Sequence, residues 1–141
     1  MDFRTTLSVY DLCEENAVVI GSGILGARGI RESNDIDVVV SKDAFQRLTA
    51  DARLTAGMNH GRPVLRGDDI EIFDIWEVLG RVWRYEDLTR ESVIIDCVRF
   101  ITPEFLLRVK ESWSSMPDAR QKDIDDVQLI RKYLAEPDRL P

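Results

Sequence analysis

Four apolar stretches mark the first hundred positions of the chain, and two amphipathic stripes follow them. Ala17–Ile20 is a continuous apolar run that ends at glycine, the pattern of a strand buried on both faces. Asp35–Val40, DIDVVV, is a second strand rich in β-branched residues, and Ile70–Trp76, IEIFDIW, is a third. Ser92–Phe100 reads as a strand pair or one bent strand. Leu54–Gly67 carries three glycines and a proline, so a turn is expected there with a short strand at Pro63–Leu65. Leu79–Glu91 is mixed and reads mostly as loop. A short helix is expected over Thr5–Glu15, and a helix through about Ala50 capped by Ser41, with Ala44, Phe45 and Leu48 on one face. Gly21–Arg31 reads as a loop with a helical turn, since Gly29 weakens any longer helix. Thr102-Pro103-Glu104 opens a helix with threonine as cap and proline at the first helical position, running to about Trp113. Ile124, Val127, Ile130 and Leu134 give a final helix over Arg120–Leu134. The expected fold is α+β: a mixed β-sheet with flanking helices and a short C-terminal helical segment. One domain is expected over 1–141, with the sheet core at about 1–101 and the C-terminal helices at about 102–135.

Composition narrows the function classes. A chain of 141 residues buries a real core without disulfide or metal staples. Its 44% hydrophobic and 32% charged content is that of a globular protein. A net charge of -7 argues against broad nucleic-acid coating and against adhesion to an anionic membrane. It leaves room for a small local phosphate site, where a metal ion would mediate. No basic-then-apolar leader and no apolar run near the ~20 residues of a membrane span is visible, so a cytoplasmic location is expected. Cys13 and Cys97 lie in no metal-ligand spacing and have apolar neighbours, so both are expected as buried free thiols.

Two stretches carry candidate chemistry. In VVIGSGILG, Gly21, Gly23 and Gly26 spell G-x-G-x-x-G after a strand, the dinucleotide fingerprint, and Asp43 stands near the end of the next strand, where a ribose-binding acid belongs. Against that reading, Gly29, Arg31 and Ser33-Asn34 interrupt the helix that should join the two strands. The second stretch is Asp35-Ile36-Asp37. On a strand, side chains i and i+2 share a face, so two carboxylates project together. They repel one another, and a hard divalent cation, Mg²⁺ or Mn²⁺, reverses that cost. The alternative is a strand end with two solvated acids.

Gly21-Ser22, then twelve residues, then Asp35-x-Asp37, then an acid within a later apolar strand, resembles the nucleotidyltransferase superfamily that includes DNA polymerase β and the antibiotic nucleotidyltransferases. VVIGSGILGARGIRESNDIDVVVS is similar to the small stand-alone bacterial members and to the abortive-infection nucleotidyltransferase toxins, in which an R-x-S-x-D-I-D segment follows the turn. Here that segment is Arg31 to Asp37. At the other end, Lys110 and the R-x-K-D-x-x-D segment, Arg120 to Asp126, are similar to the family's helical end.

The resemblance implies transfer of a nucleoside monophosphate from an NTP to a hydroxyl, with pyrophosphate leaving. It implies Asp35 and Asp37 as metal ligands and a third carboxylate acting on the acceptor. Glu71 and Asp74 are three apart and face opposite sides of a regular strand; Glu71 is preferred and Asp74 is the fallback. Gly21 and Ser22 would bring backbone N–H groups and a hydroxyl to the phosphates, with Gly23 and Gly26 as loop and packing residues. Arg31, Lys110 and Lys122 are the cations expected at the triphosphate, with Arg28 behind them. The alternative for Lys110 and Lys122 is a surface position, with Asp123 and Asp126 pairing Arg120 and Lys122 along the helix. His60, the lone histidine, is expected in an exposed loop, and Trp76, Trp83 and Trp113 as packing anchors.

A second function class stays open beside the enzyme: a nucleotidyltransferase fold without turnover, serving as a binding or regulatory module, of toxin–antitoxin type in the narrower version. A partner protein or a second copy of the chain would accompany either.

Overall fold

The structure, a computed structural model, describes residues 2–136. Asp2 caps the first helix, its carboxylate accepting from the Thr5 N–H at 3.1 Å, and α1 runs over Phe3–Ser8. It stops well short of the expected Glu15. Asp11 takes a left-handed φ of 56°, and Asn16 folds back to accept from the Cys13 N–H at 2.8 Å. β1 (Ala17–Ile20) is buried throughout. It is followed by α2 (Gly23–Ala27), β2 (Ile36–Val40) and α3 (Lys42–Leu48), the last capped by Ser41 as its sequence implies.

The next segment differs from expectation. β3 (Thr55–Asn59) and β4 (Arg62–Gly67) form a full hairpin where a turn and a three-residue strand were expected. His60 and Gly61, at φ 49° and 78°, form its two-residue turn, and His60 is exposed there. The apolar run Ile70–Trp76 is two strands rather than one. β5 (Ile70–Phe73) stays in the main sheet, the chain breaks at Asp74, and β6 (Ile75–Val78) pairs with β7 (Arg81–Arg84) in a separate hairpin. Leu79–Glu91 is therefore not mostly loop: it holds β7, α4 (Tyr85–Leu88) and a 3₁₀ turn at Thr89–Glu91.

β8 (Ser92–Ile95) and β9 (Val98–Ile101) resolve the fourth apolar stretch as a strand pair. Asp96 and Cys97, at φ 49° and 64°, make its turn. Both cysteines are exposed, contrary to the expectation of buried thiols. Cys97 stands at a hairpin tip and Cys13 in the turn before β1, so turn geometry overrides their apolar neighbours. α5 (Pro103–Ser114) begins as expected, with Thr102 Oγ1 accepting from the Phe105 N–H at 3.1 Å, and α6 (Gln121–Ala135) packs along it.

The main sheet is mixed and has the order β3-β4-β5-β2-β1-β9-β8. β1 pairs antiparallel with β2 and parallel with β9, while β2 pairs parallel with β5. This is the α+β architecture the sequence implies. It removes the dinucleotide reading of the glycine loop, which requires the two flanking strands to run parallel across a connecting helix.

The core is aliphatic along the central strands and aromatic under α5. Trp83 meets Phe105 edge-on at 4.9 Å and donates its indole N–H to the Val78 carbonyl at 3.0 Å; Trp76 meets Trp113 at 6.3 Å. All three tryptophans thus serve packing. Among the described residues, no helix is long and apolar enough to cross a membrane.

Candidate active site

Sheet register builds the site. Cross-strand partners share a face, so Ile20, Asp37, Glu71, Arg66 and Thr55 form one row across β1, β2, β5, β4 and β3. Asp37 and Glu71 are direct partners in the parallel pair. Asp35 stands exposed in the bend just before β2, two residues upstream of Asp37 and near enough for its charge to act on that carboxyl. The register brings Glu71, not Asp74, beside Asp37. Asp74 follows β5 at its other end, about 10 Å further along the strand, in a cleft of about 450 Å³ shared with Lys42 and Arg84.

The acids act on one another. Burial, then the charges of Glu71 and Asp35, push the Asp37 carboxyl up to about 6, against a lowering influence from Lys122. Lys122 lies exposed in the first turn of α6, so the C-terminal helix delivers a cation to the neighbourhood of Asp37. Among the described residues no three His, Cys, Asp or Glu side chains form a ready-made metal cage. The donor set nonetheless fits a hard cation. It is oxygen-only, and the half-buried Asp37 carries a field of like charge that a divalent ion would relieve.

The glycine loop closes over this row. Gly21 has φ +63°, and a β-carbon placed on it would lie 3.3 Å from Asp37 Oδ2. The other two glycines of the motif are packing residues. A β-carbon on Gly23 would fall 2.4 Å from Val19 Cγ1, and one on Gly26 would fall 3.1 Å from Ser33 Cβ. Ser22 precedes α2, yet its hydroxyl makes no cap; Oγ instead accepts from Arg31 Nη2 at 2.9 Å.

The expected triphosphate cations sit differently from one another. Arg31 donates to both oxygens of Asp126, at 2.7 Å and 2.8 Å, and to the Glu32 carbonyl at 2.8 Å, besides Ser22. Lys110 is 2% exposed, with its ammonium 2.7 Å from Asp123 and 3.0 Å from Asp126. It is neither a surface residue nor turned to solvent. Asp126 takes Arg31 and Lys110 as partners, while Asp123 also pairs Arg120 at 3.1 Å as helical spacing implies. Burial works to raise both carboxyls, but hydrogen bonds from Arg120 and Lys110 to Asp123, and from Arg31 and Lys110 to Asp126, outweigh it and hold both below the usual carboxylate range.

Arg66 is the site residue that sequence reading missed. Its Nε donates to Glu71 at 3.2 Å, and its guanidinium crosses the space that Gly57 leaves open. The signal was present: Arg66 and Glu71 flank the tight Gly67–Ile70 connection at cross-strand spacing, but only once β4 is assigned as a strand does that spacing point to a pair.

The mixed sheet that carries Asp37 and Glu71 on neighbouring parallel strands, with the glycine-serine turn above them, has a counterpart in fold among solved structures. In particular, the chain is similar to the crystal structure of ANT(2")-Ia in complex with adenylyl-2"-tobramycin. The TM-score is 0.53 and the identity 18%, over 84% of this chain and 79% of that one. No protein-family model matches the sequence, and a search of curated proteins finds no relative.

Proposed function

We propose that the protein is a nucleotidyltransferase that moves a nucleoside monophosphate from an NTP to an acceptor hydroxyl. The observation that supports this most directly is the row Asp37–Glu71 beneath Gly21, with Asp35 near enough for its charge to act on Asp37. ANT(2")-Ia, solved in complex with adenylyl-2"-tobramycin, shares the fold, and that likeness supports the same class of chemistry.

Asp35 and Asp37 would hold Mg²⁺ or Mn²⁺. Bound there, the metal supplies charge neutralisation at the α-phosphate and at the leaving oxygen. Gly21, lacking a side chain, lets the phosphates approach the backbone N–H groups of the loop. Arg31 already occupies a lone pair of Ser22 Oγ, so the hydroxyl proton is available to a phosphate oxygen. Lys122 adds an exposed cation on the same side. Glu71 takes the proton of the acceptor hydroxyl. The acceptor oxygen then bonds to the α-phosphorus as the α–β bridging bond breaks, and pyrophosphate leaves with the electron pair.

The test is thermal stability against the four NTPs and NAD, each with and without Mg²⁺, repeated on the Asp35→Asn/Asp37→Asn double variant. A ligand at 100 times its dissociation constant stabilises by about 2.7 kcal/mol. The expected result is an NTP shift that needs both metal and the two aspartates, followed by metal-dependent pyrophosphate release. An NTP shift without any pyrophosphate release would favour the non-catalytic module. No shift with any NTP would overturn the reading.

A further inference from the structure

Among the described residues, the buried charged side chains Lys110, Asp123 and Asp126 belong not to the acid row but to a network that reaches the glycine loop. Five charged side chains from three places in the sequence form one chain of contacts: Arg120 to Asp123, Asp123 to Lys110, Lys110 to Asp126, Asp126 to Arg31. It ends at Ser22 Oγ, 2.9 Å from Arg31 Nη2. Its middle is inaccessible: Lys110, Asp123 and Asp126 are 2%, 3% and 1% exposed. Such a network is costly to desolvate and contributes little net stability that an apolar cluster would not give. What it supplies is geometry, because a bidentate guanidinium–carboxylate pair fixes the plane of both groups.

Arg31 has the form of a strut rather than a phosphate clamp. Four hydrogen bonds from its guanidinium go to protein acceptors, two of them to the one carboxylate of Asp126. Asp126 in turn is held from its other side by Lys110, 3.0 Å from the Oδ2 that accepts from Arg31. The Ser22 carbonyl accepts from the Leu25 N–H at 3.0 Å, which fixes its backbone and leaves the direction of the hydroxyl to Arg31. Gly21 has left-handed backbone, and the Ser22 hydroxyl makes no helix cap.

Resting on the nucleotidyltransferase reading of that loop, we infer that Asp126 is a positioning residue: through Arg31 it sets the direction in which the Ser22 hydroxyl donates, and so couples the docking of α6 to nucleotide binding. Lys110 and Asp123 hold Asp126 in place and do not touch the substrate. Arginine is required at position 31, since a lysine cannot bridge Asp126 and Ser22 with a planar fork.

The experiment uses the full chain with Arg31→Lys, Ser22→Ala, their double variant and Asp126→Asn. Two readouts are taken: hydrogen exchange of the backbone amides at 21–23, and the dissociation constant of ATP, GTP, CTP and UTP with Mg²⁺. Arg31→Lys keeps the charge and serves as the decisive variant should Asp126→Asn fail to fold. The expected result is faster exchange at 21–23 in Arg31→Lys, with exchange in the central strands unchanged. NTP affinity should fall about tenfold in Arg31→Lys and in Ser22→Ala, and no further in the double variant, because the two act as one unit. A lower melting temperature with unaltered exchange at 21–23 would overturn the inference and leave a purely structural network. So would additive losses of affinity in the double variant. Should the wild-type chain bind none of the four NTPs, the nucleotide reading falls, and faster loop exchange in Arg31→Lys would still uphold the mechanical coupling.

Discussion

A β-carbon on Gly21 would stand 3.3 Å from Oδ2 of Asp37, so the turn after β1 and the acid of β2 face each other across a gap too tight for an unshifted side chain. Gly21→Ala meets two obstacles there: the contact itself, and a φ of +63° that costs an L-residue about 1–2 kcal/mol. The expected outcome is a folded variant with a modestly lower melting temperature and no metal-dependent NTP shift. Circular dichroism beside the ligand-panel melts separates the two effects.

Asp37 gives a pH prediction with a definite sign. Its carboxyl is pushed up to about 6 by burial first and then by Glu71 and Asp35. The native protein therefore holds a proton that the unfolded chain releases near pH 4. The stability this confers is full below about pH 4 and is lost as pH rises from there through 6. Asp37→Asn removes the burden, so in EDTA at pH 8 the variant should be about 1–2 kcal/mol more stable than wild type, and the advantage should vanish at pH 4. Urea melts at the two pH values measure it. Added Mg²⁺ should recover the wild type and leave the variant unmoved.

The contrast between Asp37 and the α6 acids explains how much could be read from the chain. The central strands and the caps at Ser41 and Thr102 are local properties, set by period and by residue chemistry, and they were legible; Asp35, read as the first residue of its strand, lies in the bend before it. The break at Asp74 was not, because an apolar run carries no mark of where one strand leaves a sheet and enters another. The hairpin at Thr55–Gly67 was hidden because its outward positions are mostly small or polar and its strand lies at the sheet edge. The partner of Asp126 lies 95 residues away, a separation that no spacing rule spans. Helical spacing correctly paired Asp123 with Arg120, and could not reach Arg31.

Lys110 carries the largest stability prediction. Its ammonium lies between two buried carboxylates, and Lys110→Met would strip the cation while both acids remain. Breaking a buried pair from one side costs about 3–5 kcal/mol. Asp123 and Asp126 are held below the ordinary carboxylate range, so the stability they confer is present above about pH 4 and is lost as pH falls through their native values. The Met variant should be destabilised most at neutral pH and least in acid. A variant as stable as wild type at pH 7 would contradict this account of the network.

The exposure of both cysteines is checked directly. Cys13 and Cys97 stand in turns rather than in the core, so a thiol-reactive chromogenic disulfide should titrate both in native buffer without denaturant. Protection of either until the chain unfolds would place it back in the interior.

Arg66 and Glu71 supply the last prediction. The pair is 43% and 36% exposed, so it adds at most about 1 kcal/mol to stability, and Arg66→Ala should melt within that margin of wild type. Its consequence lies in where it points the carboxylate. Glu71 is the direct partner of Asp37, and Arg66 holds its Oε1 from the β4 side. Gly57 makes that reach possible, since a β-carbon there would lie 2.6 Å from Arg66 Nη1. If Glu71 takes the acceptor proton, loosening it lowers turnover and spares NTP binding, which depends on the opposite side of the row. Arg66→Ala and Gly57→Ala should therefore both cut metal-dependent pyrophosphate release about tenfold, with the NTP shift intact and no further loss in the double variant. Gly57→Ala with full turnover would show that the orientation of Glu71 owes nothing to the arginine.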